Sequence, residues 1–238
     1  MKFKPLASSS AGNAYIIDDG TSRLLVECGV SYRKLQKLVK FSLSGLCGCL
    51  VSHEHKDHAK SAGELVKNGV PVYMTEGTAE ALELDGAETF QRAEGAERSY
   101  HDVRVGTFDV HPFATFHDAR EPVGFLIRSR ADGDRLLFAT DTVNLRYQVD
   151  GLDLVCIECN YDEESLSQST HLPAKVVKRI RNSHMEVGRA IDFLRRLDLS
   201  RCRCVYLLHL SDRCSNEGVM VGMVEHACPG VRVVACPK

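Results

Sequence analysis

The sequence has no long apolar run, no apolar leader and no excess of basic residues. No stretch approaches the roughly 18 consecutive apolar residues of a transmembrane helix, which argues against a bilayer-spanning protein. Met1–Pro5 leads into a serine cluster instead of the apolar core of a signal peptide. The formal net charge is −2, which argues against a protein that coats nucleic acid through its overall charge. We therefore expect a cytoplasmic chain without membrane contact, in which any polyanionic partner is held locally.

The sequence also lacks the cysteine spacing of a zinc ribbon. Its ten cysteines would suggest disulfides in a secreted chain, but a reducing compartment would keep them as thiols. The one C-x-x-C motif, Cys156–Cys159, has no second pair at the spacing that a zinc ribbon requires. We interpret most of these cysteines as small core residues.

The length of 238 residues and the hydrophobic fraction of 44% suffice for a sizeable core, and we expect a single domain spanning residues 1–238. Short apolar or alternating runs predict strands at Asn13–Asp18, Arg23–Glu27, Gly48–Ser52, Val70–Met74, Thr107–Phe113, Gly124–Arg128, Arg135–Ala139, Leu152–Glu158, Cys204–Leu208 and Val231–Ala235. Helical periodicity is present at Tyr32–Lys40, Lys60–Lys67, Thr78–Leu84, Ala174–Arg181, His184–Leu197 and Asn216–His226. This alternation predicts an α+β fold in which two mixed sheets are flanked by helices, an αββα sandwich.

Four residues of metal-ligand type lie within six positions, directly after a predicted strand. The segment reads His53-Glu54-His55-Lys56-Asp57-His58. His53 and His55 are two apart on an extended segment, so both imidazoles face one side and can reach one ion. Asp57 and His58 follow in the turn and can serve a second position. A polar surface loop with chance histidines is the alternative, but it gives no reason for three imidazoles to lie together.

Further candidate ligands follow later strands. His117 comes after the predicted strand Thr107–Phe113, while Asp141 and His209 each follow an apolar run. Functional groups commonly lie at the carboxyl ends of strands in parallel or mixed sheets. A closed structural zinc site needs only four ligands, so the larger set indicates more than one ion.

The set of candidate ligands resembles the five-motif pattern of metallo-β-lactamase-fold hydrolases over nearly the whole chain. Its members are His53, His55, Asp57, His58, His117, Asp141 and His209. Within that superfamily, several segments are similar to the YycJ/WalJ group, which is associated with DNA exonuclease activity and is a relative of ribonuclease Z. These segments are Leu6–Asn13, Phe116–Ala119, Phe138–Thr142, Glu158–Asp162, Arg179-Ile180 followed by Ser183-His184, and His209–Ser211.

The resemblance implies the metallo-β-lactamase fold and a site for two divalent metal ions. One ion would be held by His53, His55 and His117, the other by Asp57, His58 and His209, with Asp141 as the bridge. Two ions about 3.5 to 4 Å apart can share a hydroxide and stabilise both the attacking and leaving oxygens of a displacement. Imidazole donors suit zinc, while the carboxylates leave manganese or iron open.

Two further residues bear on the reaction. Ser183-His184-Met185-Glu186 predicts a capping box that places His184 in the first turn of a helix, where the helix field favours a bound phosphate and lowers the imidazole pKa. In ribonuclease Z relatives, a histidine supported by a glutamate helps to protonate the leaving group. The resemblance implies these roles for His184 and Glu158; a solvated histidine and a capped or paired carboxylate are the alternatives. Ser183 and Glu27 depart from the family pattern, which usually has glycine and aspartate at these positions.

The sequence thus predicts a dimetal hydrolase, with Asp57, His184 and Glu158 as catalytic residues. We expect a phosphodiesterase or nuclease that acts on DNA through a metal-bridging hydroxide. A second hypothesis is hydrolysis of a small thioester, lactone or cyclic nucleotide at the same metals. A third hypothesis is a non-catalytic metal-binding protein. The basic stretch Lys175–Arg181 is either a nucleic-acid contact or a solvated helix face. Substrate polarity, metal identity and oligomeric state are left open.

Overall fold

The computed structural model describes residues 1–95, 98–169 and 171–238. The strands are β1 (Lys2–Ser9), β2 (Gly12–Asp18), β3 (Arg23–Val26), β4 (Gly48–Leu50), β5 (Val72–Met74), β6 (Glu88–Thr89), β7 (Val103–Val105), β8 (Phe108–Ala114), β9 (Val123–Ser129), β10 (Arg135–Ala139), β11 (Leu154–Glu158), β12 (Cys204–Leu208) and β13 (Arg232–Ala235). The helices are α1 (Tyr32–Leu38), α2 (Lys56–Ala59), α3 (Ala62–Lys67), α4 (Glu76–Ala81), α5 (Glu163–Gln168), α6 (Ala174–Ser183), α7 (Val187–Leu194) and α8 (Glu217–Ala227), and Leu43–Gly45 forms a 3-10 turn. In the described ranges, no helix combines the length and apolarity that crossing a bilayer requires.

The chain divides into two compact units. The first contains Met1–Ala114 and Ala119–Asp134, and the second contains Thr115–Asp118 and Arg135–Cys236. Two mixed sheets with flanking helices are present, which confirms the predicted α+β class. The single domain spanning residues 1–238 stays a prediction.

The first unit contains a six-stranded sheet in the order β1-β2-β3-β4-β5-β6. β1, β2 and β3 are antiparallel neighbours, whereas β3 to β6 are parallel. Parallel neighbours need a crossover, and α1 lies in the connection between β3 and β4. Leu25, Cys49 and Val72 of the sheet pack with Leu35 of α1 and Leu65 of α3 in one buried cluster. The predicted ligands that begin at His53 follow the carboxyl end of β4.

The antiparallel strands β7, β8 and β9 also belong to the first unit. β10 to β13 belong to the second unit and are all parallel. Every residue of β11 is buried, as expected for a parallel strand covered on both faces. Ala139 pairs with Ile157, and Glu158 pairs with Leu208, so the carboxyl ends of β10, β11 and β12 are aligned. This register brings the residues at those three ends to one edge of the sheet.

The ten strands and six helices predicted from the sequence are confirmed, with ends that shift by a few residues. The prediction missed β1, β6, β7, α2 and α5. In β1, Lys2 and Lys4 are exposed and Phe3 is buried, but Pro5 interrupts the pattern. β1 is an edge strand of its sheet, where a proline is tolerated, and its pairing shifts register after Pro5. The sequence pattern alone therefore did not identify β1 as a strand, because its edge position, which tolerates the proline, depends on how distant strands pair.

All ten cysteines are free thiols, and nine of them are buried. Cys156 and Cys159 are fully buried, and burial raises the pKa of both thiols. Among the described residues, no cysteine belongs to a cluster of potential metal ligands. The interpretation of the cysteines as small core residues is confirmed.

Candidate metal ligands and their surroundings

Four of the predicted ligands follow β4 and surround the start of α2. The ring centre of His53 lies 4.6 Å from that of His55 and 4.2 Å from that of His58. Oδ2 of Asp57 lies 3.4 Å from Nε2 of His58. Imidazoles this close repel each other when protonated, whereas their neutral nitrogens are donors for zinc and other divalent metals. The donor chemistry of this group therefore fits a divalent cation.

Two polar side chains contact these imidazoles. Oγ of Ser52 lies 2.9 Å from Nδ1 of His53, and Nδ2 of Asn13 lies 3.2 Å from Nε2 of His58. Asn13 also donates a hydrogen bond to the main-chain oxygen of Asp57 at 3.0 Å. Partners of this kind orient a ring and tune it as a metal ligand. Sequence reasoning did not assign Asn13 this contact because it lies far from the histidines along the chain.

Glu27 is fully buried beside the same group. Its Oε2 lies 3.4 Å from Nδ1 of His58, and its Oε1 accepts a hydrogen bond from the main-chain nitrogen of Ser52 at 3.2 Å. A carboxylate at Nδ1 favours the tautomer that leaves Nε2 for a metal. Glutamate is one methylene longer than the aspartate that the family usually has at this position. Its carboxylate nevertheless contacts the His58 imidazole.

The backbone that carries Asp57 and His58 passes directly over Gly29. A β-carbon built on Gly29 would lie 1.7 Å from the main-chain oxygen of Asp57 and 2.6 Å from the main-chain nitrogen of His58. The neighbouring Cys28 nitrogen donates to the main-chain oxygen of His58 at 2.8 Å. Only glycine fits such an approach without moving the ligand segment.

Gly29→Ala is expected to lower the free energy of unfolding by roughly 1 to 3 kcal/mol because the β-carbon overpacks a rigid contact. The displaced Asp57 and His58 should also weaken metal binding by about 10- to 100-fold, as for other changes that reorient ligands. Thermal unfolding of the metal-free protein and a metal titration measure the two effects. Gly222→Ala is the matched control, since nothing lies within 4 Å of its β-carbon position in α8. That control should be neutral or should stabilise the helix by about 1 kcal/mol; equal behaviour of the two variants would contradict the argument.

The other predicted ligands, His117, Asp141 and His209, belong to the second unit. Oδ2 of Asp141 lies 3.6 Å from Nε2 of His117, and its Oδ1 lies 3.6 Å from Nδ1 of His209. Nδ1 of His117 donates to the main-chain oxygen of Ser183 at 2.7 Å, which leaves its Nε2 for other partners. Burial lowers the pKa of His117 and so favours the neutral form that a metal requires.

Three residues after strands adopt left-handed backbone conformations. The φ angles are 63° at Glu27, 44° at Asp141 and 54° at His209. Such conformations cost a non-glycine residue roughly 1 to 3 kcal/mol and persist only where the surrounding structure enforces them. Strain of this kind is commonly found at functional sites, which agrees with the selection of these ionisable residues from the sequence.

Glu158 and His184 form a close pair in the second unit. Nδ1 of His184 lies 2.6 Å from Oε1 of Glu158. The other oxygen, Oε2, accepts hydrogen bonds from the main-chain nitrogens of Thr142 at 2.7 Å and Met185 at 3.1 Å. Glu158 is fully buried, so this carboxylate is held in one position.

The two partners shift each other's pKa. Burial alone would lower the pKa of His184, but the Glu158 carboxylate, aided by Asp141, outweighs it, so the pKa of His184 is raised. Burial would likewise raise the pKa of Glu158, yet the His184 imidazolium, aided by a hydrogen bond from His209, lowers it. Both shifts favour the charged pair.

The predicted capping box at Ser183 is wrong. Ser183 is the last residue of α6, where its Oγ donates to the main-chain oxygen of Arg179 at 2.8 Å. His184 lies between helices in an extended conformation, and Glu186 is the N-cap of α7. The cap is thus supplied by Glu186, which accepts from the nitrogens of the first turn. His184 therefore does not lie in the field of a helix start, and its pKa shifts in the direction opposite to the prediction.

A cluster of potential ligand atoms lies at the aligned strand ends of the second unit. One atom from each of Asp141, Glu158, His184 and His209 falls within 4.8 Å of the others. Nδ2 of Asn160 donates to the main-chain oxygen of His209 at 2.8 Å and lies 3.2 Å from its Nδ1. The cluster places two predicted ligands, Asp141 and His209, beside the His184–Glu158 pair.

The basic stretch of α6 is exposed and partly neutralised. Arg179 Nε lies 3.1 Å from Oδ2 of Asp118, and Arg181 pairs with Glu163. Lys175 is also exposed. These pairs favour the interpretation of Lys175–Arg181 as a solvated helix face.

A family model described as "Beta-lactamase superfamily domain" matches residues 22–210. The chain belongs to this superfamily. The match includes every predicted metal ligand as well as Glu158 and His184. The chain is thus a hydrolase of the metallo-β-lactamase superfamily, which confirms the resemblance seen in the sequence.

Two curated relatives of this superfamily hydrolase are nucleases by name. The chain is 29% identical over 226 residues to the "Exodeoxyribonuclease YycJ" of Bacillus anthracis, covering 89% of this chain and 83% of the relative. It is 28% identical over 228 residues to the "Exodeoxyribonuclease WalJ" of Streptococcus pneumoniae, covering 88% of this chain and 81% of the relative. Both lie in the group that the sequence motifs indicated.

Among solved structures, the metallo-β-lactamase fold protein YhfI from Bacillus subtilis has the same fold. The TM-score is 0.74 at 16% sequence identity, and the alignment covers 99% of this chain and 95% of YhfI. This similarity confirms the metallo-β-lactamase fold predicted from the sequence.

Proposed function

We propose that this chain is a dimetal phosphodiesterase that degrades DNA from an end. The observation that carries the proposal is the His184–Glu158 pair, whose atoms lie 2.6 Å apart in the same cluster as Asp141 and His209. A hydrolase that acts only on a carbonyl has less need of a buried, carboxylate-supported imidazole to protonate a poor leaving group. The exodeoxyribonuclease names of the curated relatives support DNA as the substrate.

The proposed metal ligands are those that the sequence motifs selected. They are His53, His55, Asp57, His58, His117, Asp141 and His209. When bound, two divalent cations would activate water as the nucleophile and neutralise charge on the phosphate. Zinc is the first choice for such an imidazole-rich set, and manganese or iron are alternatives.

His184 would act on the leaving group. Its Nδ1 is committed to Glu158 at 2.6 Å, so the proton for the departing alkoxide would come from Nε2. Glu158 would position the ring and stabilise its charge, because Oε2 is fixed by the main-chain nitrogens of Thr142 and Met185. Asp57, as a ligand at the start of α2, would orient the attacking water. We also place the enzyme in the cytoplasm, which agrees with its ten free thiols.

The test is a substrate panel for the metal-loaded protein. End-labelled single-stranded DNA, duplex DNA and RNA are compared with thioesters, lactones and cyclic nucleotides under zinc, manganese and iron. We expect stepwise shortening of DNA that depends on His184. Intact nucleic acids under every metal, together with turnover of a small ester that His184→Ala leaves unchanged, would replace the proposal with the small-molecule alternative.

A further inference from the structure

An aromatic ring and a guanidinium lie exposed in the second unit beside a proposed ligand. Phe116 is 40% exposed, and the guanidinium carbon of Arg146 lies 5.1 Å from the centre of its ring. Tyr147, the next residue after Arg146, is 41% exposed. We call Phe116, Arg146 and Tyr147 the aromatic platform. Unlike an isolated exposed ring, Phe116 pairs its π-face with a guanidinium, which together form a surface on which a planar group can stack.

The platform is held in place by the backbone. The main-chain nitrogen of Phe116 donates to Oγ1 of Thr142, and the nitrogen of Val143 donates to the main-chain oxygen of Phe116, both at 3.0 Å. The main-chain nitrogen of Thr142 in turn donates a hydrogen bond to Oε2 of Glu158 at 2.7 Å. The main chain that carries the exposed ring is therefore tied, through Thr142, to the carboxylate that supports His184.

Both platform segments lie directly beside proposed ligands. Phe116 precedes His117, so their α-carbons are separated by about 3.8 Å, the length of one peptide unit. Thr142, which anchors Phe116, follows Asp141. The Phe116 ring is thus carried by main chain that is continuous with one proposed ligand and hydrogen-bonded to the residue after another.

We propose that Phe116, with Arg146, stacks a nucleobase of the substrate strand beside the scissile phosphate. The inference rests on the proposed nuclease function and adds the feature that the enzyme recognises. Every base offers a π-face to an aromatic ring, and arginine adds a cation–π contact and a charge for the backbone. A base within a duplex already has both faces stacked, so this platform would favour an unpaired end.

The kinetic test compares two single-stranded oligonucleotides that differ in one terminal base, one intact and one abasic. In the wild type, the ratio of kcat/KM for the intact over the abasic substrate should be roughly 5- to 100-fold, as base stacking supplies elsewhere. Phe116→Ala should bring this ratio close to one, and Phe116→Tyr should restore it. Phe41→Ala is the matched control, because Phe41 is a 71% exposed phenylalanine of the first unit. If the ratio in Phe116→Ala equals the wild-type ratio, the proposed stacking on Phe116 is wrong.

A fluorescence test separates the platform from catalysis. The chain has no tryptophan, so Phe116→Trp introduces a single reporter. With metal-loaded protein and a hydrolysis-resistant phosphorothioate oligothymidylate, emission should be quenched by base stacking, whereas an abasic backbone of equal length should leave it unchanged. Phe41→Trp should respond to neither. If the fluorescence is quenched but the protein cuts no DNA, the proposed function is wrong and the aromatic platform is kept. If the protein cuts DNA but shows neither quenching nor discrimination between the intact and abasic substrates, the aromatic platform is wrong and the proposed function is kept.

Discussion

In the metal-loaded His184→Ala variant, kcat for DNA cleavage falls about 10²- to 10⁴-fold, which is the range that a positioned general acid contributes. The metal content should stay at the wild-type level, because the proposed ligand set does not include His184. The physical reason is the contact with Glu158 at 2.6 Å, which fixes the ring and favours its protonated form. Single-turnover cleavage of end-labelled DNA, with metal analysis of the same sample, measures both quantities.

Two further variants control this result. Glu158→Gln keeps the shape of the side chain but removes its charge, and we expect a smaller loss of roughly 10- to 100-fold, as for partners that orient a functional imidazole. His111→Ala removes a histidine of the first unit whose Nδ1 lies 2.8 Å from Oδ1 of Asp102. Its activity should match the wild type. A His184→Ala variant as active as His111→Ala would remove His184 from the mechanism.

Asp141→Ala is expected to abolish tight metal binding and to lower DNA cleavage by about 10³-fold or more, since bound cations supply several kcal/mol to such reactions. The carboxylate lies 3.6 Å from a ring nitrogen of His117 and 3.6 Å from one of His209. It therefore lies close to both of the other proposed ligands of the second unit. Metal analysis after gel filtration and cleavage rates across a metal titration check the expectation.

Asp153→Asn is the matched control for that variant. Asp153 is another buried aspartate of the second unit, but its partners are Arg201, Arg203 and the main-chain nitrogen of Arg135. Loss of its charge should lower thermal stability without changing the metal content. If Asp141→Ala keeps its metals, Asp141 is not a bridging ligand.

The fold was largely predictable, and candidate ligands could be selected from the sequence, because both follow local patterns. Parallel strands such as β10, β11 and β12 are short apolar runs, and a polar residue at the end of each is visible in the sequence. Asp141, Glu158 and His209 were selected in this way, and the register of the sheet aligns the strand ends that carry them.

Contacts between distant residues were not predictable in the same way. Asn13 reaches His58 across 45 positions, and His117 reaches the main-chain oxygen of Ser183 across 66. The predicted helix cap near His184 was wrong for a related reason. Ser183 and Glu186 can both accept hydrogen bonds at a helix start, and their spacing in the sequence does not decide between them. The structure resolves the choice because Ser183 bonds back into α6 and Glu186 bonds forward into α7.

The most direct test of the central claim is a metal titration of DNA cleavage. Metal-free protein receives increasing zinc or manganese, and the release of nucleotides from end-labelled single-stranded DNA is followed at each ratio. A two-metal phosphodiesterase predicts that the rate rises until two equivalents per chain are bound and that a chelator abolishes it. A folded protein that binds two equivalents and leaves the DNA intact at every loading would contradict the account.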